Sequence, residues 1–283
     1  MIPERIASAK VNLALHVLGQ RPDGFHEISS LVVFTTFGDV VSIASGNSGP
    51  LSIRGPFGHC VPHDQSNLAC RALALLGCAD KVTITLDKQI PVEAGLGGGS
   101  SDAASVILMA ARLFNLDIPD PAAIAALGSD VPVCLFGRSA LVGGLGEQIK
   151  PVESLPDLFL VLVNPMFHLA TRDVYHAVKS PSGRILDMPP ANCDLASLAA
   201  WLHEQANDLE TAAIALAPCI ADVLAAIRKT TGCLLARMSG SGATCYGLYQ
   251  SREAAQTAAR AIAASNESWW VQETQVTSQS DRV

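Results

Sequence analysis

Gly95-Leu96-Gly97-Gly98-Gly99-Ser100-Ser101-Asp102 runs straight into Ala103–Phe114, a stretch that is apolar nearly all round. Four glycines in five positions let the backbone turn sharply and approach a ligand closely. The apolar stretch reads as a central buried helix. The first N–H groups of a helix have no internal partners and carry partial positive charge. A glycine loop feeding a helix start is therefore a cradle for phosphate. Ser100 and Ser101 add hydroxyls suited to phosphate or to a magnesium contact. The bland alternative is a tight turn capped by serine or aspartate.

Two familiar phosphate loops are excluded. The chain contains no Gly-Lys dipeptide, so this is not a Walker A loop. The dinucleotide spacing GxGxxG fails because residue 100 is serine. A second loop, Met238-Ser239-Gly240-Ser241-Gly242-Ala243-Thr244, separates two predicted strands. It suits a phosphate or a second substrate, though alone it reads first as a plain hairpin turn.

Outward from the loop, residues 5–18 alternate. Val11, Leu13, Leu15 and Val17 share one face, and Ser8, Lys10, Asn12 and His16 the other. Period two predicts a strand with one buried and one polar face. Residues 20–25 carry a Pro-Asp-Gly turn signal. Strands are expected at 31–43, 51–54, 81–86, 133–136 and 139–143. Helices are expected at 66–76, with Ser66 as N-cap, and near 121–127. The second half predicts strands at 158–164, 233–238, 243–249 and 269–274. Its helices are expected at 171–178, 194–203, 218–230 and 252–264, with an exposed loop at 180–192. Pro151 and Pro156 bracket an acidic link, which places a domain boundary between 154 and 155.

Composition bounds the function. The chain has 283 residues, 49% hydrophobic and 16% charged, which suits one large or two modest globular domains. Its net charge is −7 and its longest basic run is Arg228-Lys229, which argues against a nucleic-acid groove. Eight cysteines form no CxxC pair, and no HExxH or Cys/His cluster has zinc spacing. There is no leader-like pattern at Met1–Arg5 and no uncharged apolar run of about 18 residues. The expectation is a soluble, reduced, cytoplasmic protein.

Lys10, Asp130 and His26 are ambiguous by spacing alone. A lysine between core-facing neighbours needs an anion or solvent, and an exposed edge-strand lysine is the simpler reading. Asp130, in Gly128-Ser129-Asp130-Val131-Pro132, reads first as a turn aspartate bonding local backbone.

The order of these pieces changes the balance. Residues 91–102 resemble the second motif of the GHMP kinases, the family of galactokinase, homoserine kinase and mevalonate kinase. Residues 8–13 resemble the first motif and residues 239–243 the third. Lys10-Val11-Asn12-Leu13, Arg21–His26 and Gly128–Pro132 are similar to the branch acting on 4-diphosphocytidyl-2-C-methyl-D-erythritol in the non-mevalonate isoprenoid route. This chain departs from the branch at Phe25, usually tyrosine, and at Ser129, often alanine. The helix before Asp130 is about a turn shorter than usual.

The resemblance implies an α+β fold. Its amino-terminal lobe would be like ribosomal protein S5 domain 2 and its carboxy-terminal lobe ferredoxin-like, with the active site in the cleft between them. It implies an ATP-dependent kinase using magnesium, with a cytidine diphosphate-linked polyol as its small-molecule partner. Asp130 would take the hydroxyl proton and Lys10 would stabilise charge. Asn12 would position the polyol. Phe25 and Tyr175 would sandwich the cytosine, and His26 would bond its polar edge. Asn67 and Lys88 would lie near the nucleotide, and Gly95, Leu96, Gly97, Gly98, Gly99, Ser100, Ser101 and Asp102 would wrap its phosphates. Ser239, Gly240, Ser241 and Gly242 would form the further phosphate or substrate loop. Two other readings are open: a GHMP kinase for another alcohol, and a non-catalytic metabolite sensor on the same fold.

Overall fold

The computed structural model describes residues 4–46 and 51–277. The leader expectation at Met1–Arg5 thus falls partly outside the described residues. Two compact units interleave along the chain. The first comprises residues up to Lys10, Phe37–Val92 and Gly97–Gly137, and the second Val11–Thr36, Glu93–Leu96 and the residues from Arg138 onward. Strands β1 (Glu4–Gln20) and β2 (His26–Ser45) each contribute to both.

Strand β1 corrects one expectation. Every residue from Ala7 to Val17 is buried, so the polar face is buried too. Period two separates faces but does not say which of them meets water. The polar side chains are tolerated because they find internal partners: Lys10 pairs Asp130, Asn12 donates to Ser30, and His16 meets the Arg184 carbonyl.

In the first unit, β3 (Ser52–Arg54) runs parallel to β4 (Val82–Asp87), and β4 pairs antiparallel with Val40–Ser45 of β2. Helices α1 (Leu68–Leu75), α2 (Gly98–Phe114), α3 (Pro121–Leu127) and α4 (Val131–Phe136) complete it. Val41, Ile43, Leu73, Ile84, Leu86, Val106 and Ile107 form its core. The cap of α1 is Asn67 rather than Ser66, whose amide and hydroxyl instead donate to Asp64. Residues 133–136 are helical rather than extended. A four-residue apolar run has no decisive period, and Pro132 in the first turn favours a helix start.

In the second unit, β5 (Ala140–Gly144) pairs antiparallel with Ile28–Val32 of β2, and β6 (Gln148–Pro151) with β5. A separate antiparallel sheet holds β7 (Phe159–Asn164), β8 (Cys233–Met238), β9 (Cys245–Tyr249) and β10 (Trp270–Gln275) in the order β10-β7-β9-β8. Counted from β7, that order is 4-1-3-2, the ferredoxin-like arrangement. Helices α5 (Thr171–Ala177), α6 (Leu195–His203), α7 (Glu210–Leu216), α8 (Cys219–Arg228) and α9 (Arg252–Ser265) accompany it. Val161, Val163, Ile220, Leu224, Ile227, Tyr249 and Ile262 lie in its core. Short α7 and β6 carry no signal strong enough to be read in the sequence.

Candidate active site

The glycine loop reaches helix α2 earlier than its apolar pattern suggests. Gly97 is the N-cap, in the left-handed region at φ 63°, and Gly98 and Gly99 already belong to the first turn. A side chain at Gly97 would begin 3.3 Å from Cβ and Cε of Lys10 and 3.6 Å from Oδ2 of Asp130. Only glycine combines that φ with that approach. Loop, lysine and aspartate are therefore packed together within the first unit.

Lys10 is buried, and its Nζ lies 2.8 Å from Asp130 Oδ2. The Asp130 side chain keeps 39% of its exposure, so the carboxylate is held from within yet open to solvent. It precedes α4 without capping it by side chain. The turn-aspartate alternative had it bonding local backbone, whereas its ion partner stands 120 positions earlier in the chain. The exposed edge-strand alternative for Lys10 fails on burial.

The serines of the loop divide. Ser101 is buried and donates to the Ser8 carbonyl at 2.7 Å, which spends its hydroxyl on the scaffold. Ser100 is half-buried, with Oγ 3.9 Å from where a Gly128 side chain would begin. Asp102 is buried and faces Lys88, whose Nζ lies 2.5 Å from Asp102 Oδ2 and 2.5 Å from Asp39 Oδ2. Burial pushes the Asp102 carboxyl up to about 7 against the pull of Lys88, with Asp39 adding to the rise. Burial alone would lower the Lys88 pKa, but Asp102 and Asp39 outweigh it and leave it raised. Asn67 is engaged at both ends of its amide: Oδ1 accepts from Ala69 N–H, and Nδ2 donates to the Pro62 carbonyl.

The second unit gathers the remaining candidates. Gly95 has φ 74°, and a Cβ there would stand 2.5 Å from the Ser239 carbonyl oxygen and 2.8 Å from that of Gly242. Ser239 Oγ donates to the Gly95 carbonyl and accepts from Asn12 N–H. The Ala94 carbonyl accepts from Thr244 N–H. The two glycine-serine loops thus touch through their backbones, with Leu96 buried beside Gly95. Gly240 and Gly242 both adopt positive φ. Ser241 is buried, its hydroxyl 2.8 Å from that of Thr171.

Asn12 donates through Nδ2 to Ser30 at 2.7 Å, while its buried Oδ1 has no hydrogen-bond partner. An acceptor left open in a buried place awaits a donor. His26 stacks on Tyr175, with ring centroids 5.2 Å apart and an interplanar angle of 31°. Desolvation and the nearby His176 lower the His26 pKa, which favours the neutral imidazole. Phe25 is 63% exposed, on the shoulder of the Arg21–Gly24 turn. The structure thus seats Tyr175 against His26 and leaves Phe25 in solvent.

Sequence reasoning missed Asp39 and Asn207. Asn207 Nδ2 donates to the carbonyls of Met238 and Gly240, holding the second loop from below. Neither residue lies in a motif. Asp39 shows only as an acidic residue inside an apolar strand, which is the one available signal.

Known proteins resemble this chain. Residues 67–138 match the GHMP kinases N terminal domain, and residues 191–268 the GHMP kinases C terminal domain. A 4-diphosphocytidyl-2-C-methyl-D-erythritol kinase from Cereibacter sphaeroides is 48% identical over 275 residues, covering 95% of this chain and 97% of that protein. The chain belongs to the GHMP kinases. Within that family it groups with the 4-diphosphocytidyl-2-C-methyl-D-erythritol kinases. A Paracoccus denitrificans protein of that name is 48% identical over 94% of this chain and 93% of its own length. A crystal structure of 4-(cytidine 5'-diphospho)-2C-methyl-D-erythritol kinase superposes with a TM-score of 0.78 at 36% identity, covering 98% of this chain and all of that one. Mevalonate kinase from L. major, at 14% identity, 99% and 97% coverage and a TM-score of 0.68, shares the GHMP fold. The α+β class and the ferredoxin-like sheet agree with this membership. No helix among the described residues is long and apolar enough to cross a membrane.

Proposed function

We propose that this GHMP kinase transfers the γ-phosphoryl group of ATP to the 2-hydroxyl of 4-diphosphocytidyl-2-C-methyl-D-erythritol, giving the 2-phosphate and ADP. The Lys10–Asp130 pair beside Gly97 carries the reading. Phosphoryl transfer asks a protein for positioning and charge stabilisation more than for covalent chemistry. Asp130 Oδ2 is held by the lysine, and the partly exposed carboxylate accepts the substrate hydroxyl proton as the new P–O bond forms. Lys10 holds the carboxylate in place before transfer and offsets negative charge on the attacking oxygen. The first N–H groups of α2 receive the phosphates.

The open Oδ1 of Asn12 accepts from a polyol hydroxyl. Tyr175 offers a stacking face for the cytosine, and neutral His26 can donate or accept at its edge. Phe25, exposed and one residue before His26 in the chain, supplies the other face once the base is bound.

Magnesium belongs to the same reading. No cluster of three acidic, histidine or cysteine side chains that could hold a metal occurs among the described residues. Magnesium with a nucleotide needs none, because phosphate oxygens and water fill most of its positions. With Ser101 engaged, Ser100 is the loop hydroxyl that fits it. The ion, when bound, supplies charge neutralisation on the phosphates. The reading takes residues 1–154 as the nucleotide-binding domain and 155–283 as the second, working in the cytoplasm.

The test is ADP release from magnesium-ATP with the cytidyl substrate, run beside homoserine, mevalonate and galactose. Turnover with the cytidyl substrate alone, lost in Asp130→Asn, supports the reading. Turnover only with another alcohol overturns the substrate assignment.

A further inference from the structure

Lys88, Asp39 and Asp102 form a buried cluster beneath the phosphate loop. Lys88 and Asp102 are each 3% exposed and Asp39 is 0% exposed. Each comes from a different piece of the first unit: Asp39 from β2, Lys88 from just beyond β4, and Asp102 from the second turn of α2. The Lys88 ammonium bridges both carboxylates. Asp39 does more than balance charge. Its Oδ1 accepts the main-chain N–H groups of Gln89 at 2.6 Å and Ile90 at 2.9 Å. A side chain at Gly98, the first residue of α2, would begin 3.3 Å from Asp39 Oδ2 and 3.4 Å from Ile90 Cγ2.

The cluster therefore grips the chain on both sides of the glycine loop. On the entry side it holds Gln89 and Ile90 by their amides, and on the exit side it holds α2 through Asp102. Two of the three Lys88 donors are spent on carboxylates, and its burial leaves a nucleotide little access to Nζ. A charge so deeply buried is retained only where its partners are fixed. Removing one partner would leave the others uncompensated and free to move.

We infer that Lys88, Asp39 and Asp102 are positioning residues, which set the first turn of α2 in phosphate-binding register rather than touching the nucleotide. The inference rests on the reading of residues 95–102 as the ATP phosphate loop. The mechanism is geometric. Amide donors aimed at phosphate oxygens lose most of their value when displaced, and a misplacement of 1 Å can cost as much as ~10²-fold. Asp39 is the sharpest probe, since it is fully buried yet placed to shift the loop.

The experiment compares Lys88→Met, Asp39→Asn and Gly97→Ala for binding of the non-hydrolysable analogue AMP-PNP with magnesium, by calorimetry, and for steady-state KM of both substrates. Lys88→Met and Asp39→Asn are each expected to weaken AMP-PNP binding by roughly tenfold or more. The KM for the cytidyl substrate should stay within about twofold, a split that general destabilisation would not produce. Asp102→Asn should lose less than either, because Asp102 Oδ1 has no other partner to give up, whereas both oxygens of Asp39 are engaged. If Lys88→Met weakens binding while Asp39→Asn binds as the parent does, Lys88 contacts the nucleotide directly and the inference is wrong. If both bind normally, the cluster is a core staple and the inference is equally wrong. Normal binding by Gly97→Ala instead overturns the phosphate-loop reading, and the inference falls with it. Should Lys88→Met not fold, Lys88→Arg takes its place in the same comparison.

Discussion

The Nζ of Lys10 lies 2.8 Å from Oδ2 of Asp130, buried on the lysine side and open on the aspartate side. That asymmetry suits a general base. The carboxylate is oriented from inside while remaining reachable from outside. An asparagine in its place keeps size and polarity and removes the proton acceptor. Asp130→Asn is expected to lower kcat by ~10²–10⁴, with the dissociation constant for AMP-PNP within about twofold of the parent. Single-turnover kinetics with a parallel binding assay check both. An unchanged kcat removes Asp130 from the chemistry.

At Gly97, a methyl group would meet Lys10 at 3.3 Å on a residue whose φ of 63° already disfavours side chains. The left-handed conformation alone costs an L residue about 1–2 kcal/mol. Gly97→Ala should therefore raise KM for ATP and lower kcat together, because it disturbs the loop and Lys10 at once. Gly95→Ala is expected to be worse. Its Cβ would fall 2.5 Å from a backbone oxygen, which cannot step aside as a lysine stem can. Thermal melts beside the kinetics would rank the two, and the reverse order would contradict this packing.

The stacked pair His26 and Tyr175, 5.2 Å apart, separates two jobs. Tyr175→Phe keeps the ring and should change KM for the cytidyl substrate little. Tyr175→Ala removes a stacking face worth about 1–3 kcal/mol per base, which corresponds to roughly 5- to 150-fold in affinity. KM for ATP should hold in both. If Tyr175→Ala leaves the cytidyl KM unchanged, the base lies elsewhere.

How much of this could be read in the chain differs from residue to residue. The glycine loop announced its helix because four glycines before an apolar run have few other uses, although α2 begins five residues before the apolar pattern does. Residues Lys10 and Asp130 lie 120 positions apart, so no local period could join them. Only the order of motifs did so. The helix at Val131–Phe136 was invisible because four apolar residues fit either a strand or a helix. The Lys88 bridge was beyond reach, since an acidic residue inside an apolar strand, as Asp39 is, does not name its partner until its two backbone donors are seen. Long-range polar pairing is what a one-dimensional pattern omits.

Arg237 supplies a stability test away from the chemistry. It is 7% exposed, and its guanidinium donates to the carbonyls of Leu13, Leu202 and Gln205, each at 2.8 Å. Arg237→Met fills similar volume but takes the guanidinium from the Gln205 carbonyl, while Leu13 keeps the Tyr246 hydroxyl and Leu202 keeps the Gln205 N–H. With a desolvation cost of about 1–3 kcal/mol for a buried group left unpaired, a loss of about 1–3 kcal/mol is expected in urea unfolding. A loss below ~1 kcal/mol would mean that water replaces the guanidinium freely.

His16 gives the fold a pH dependence with a definite sign. It is 1% exposed, with Nδ1 3.1 Å from the Arg184 carbonyl and Nε2 accepting the Ala206 N–H at 3.3 Å. That pairing needs a neutral ring carrying its hydrogen on Nδ1. A second proton would set Nε2–H against Ala206 N–H. Burial lowers its pKa, partly opposed by Asp208 and by the bond to Arg184. In the unfolded chain the ring titrates near roughly 6.5. As pH falls through that value the unfolded state takes up a proton before the folded state does, so stability declines. The decline continues until the lower folded pKa is reached and then levels off for this group. His16→Gln, which can still donate and accept but does not titrate, should flatten the fall in unfolding free energy from about pH 7 toward the acid side. Urea titrations at a series of pH values measure the difference between the two slopes. Parallel slopes for parent and variant would show that His16 is not the residue linking this fold to acid.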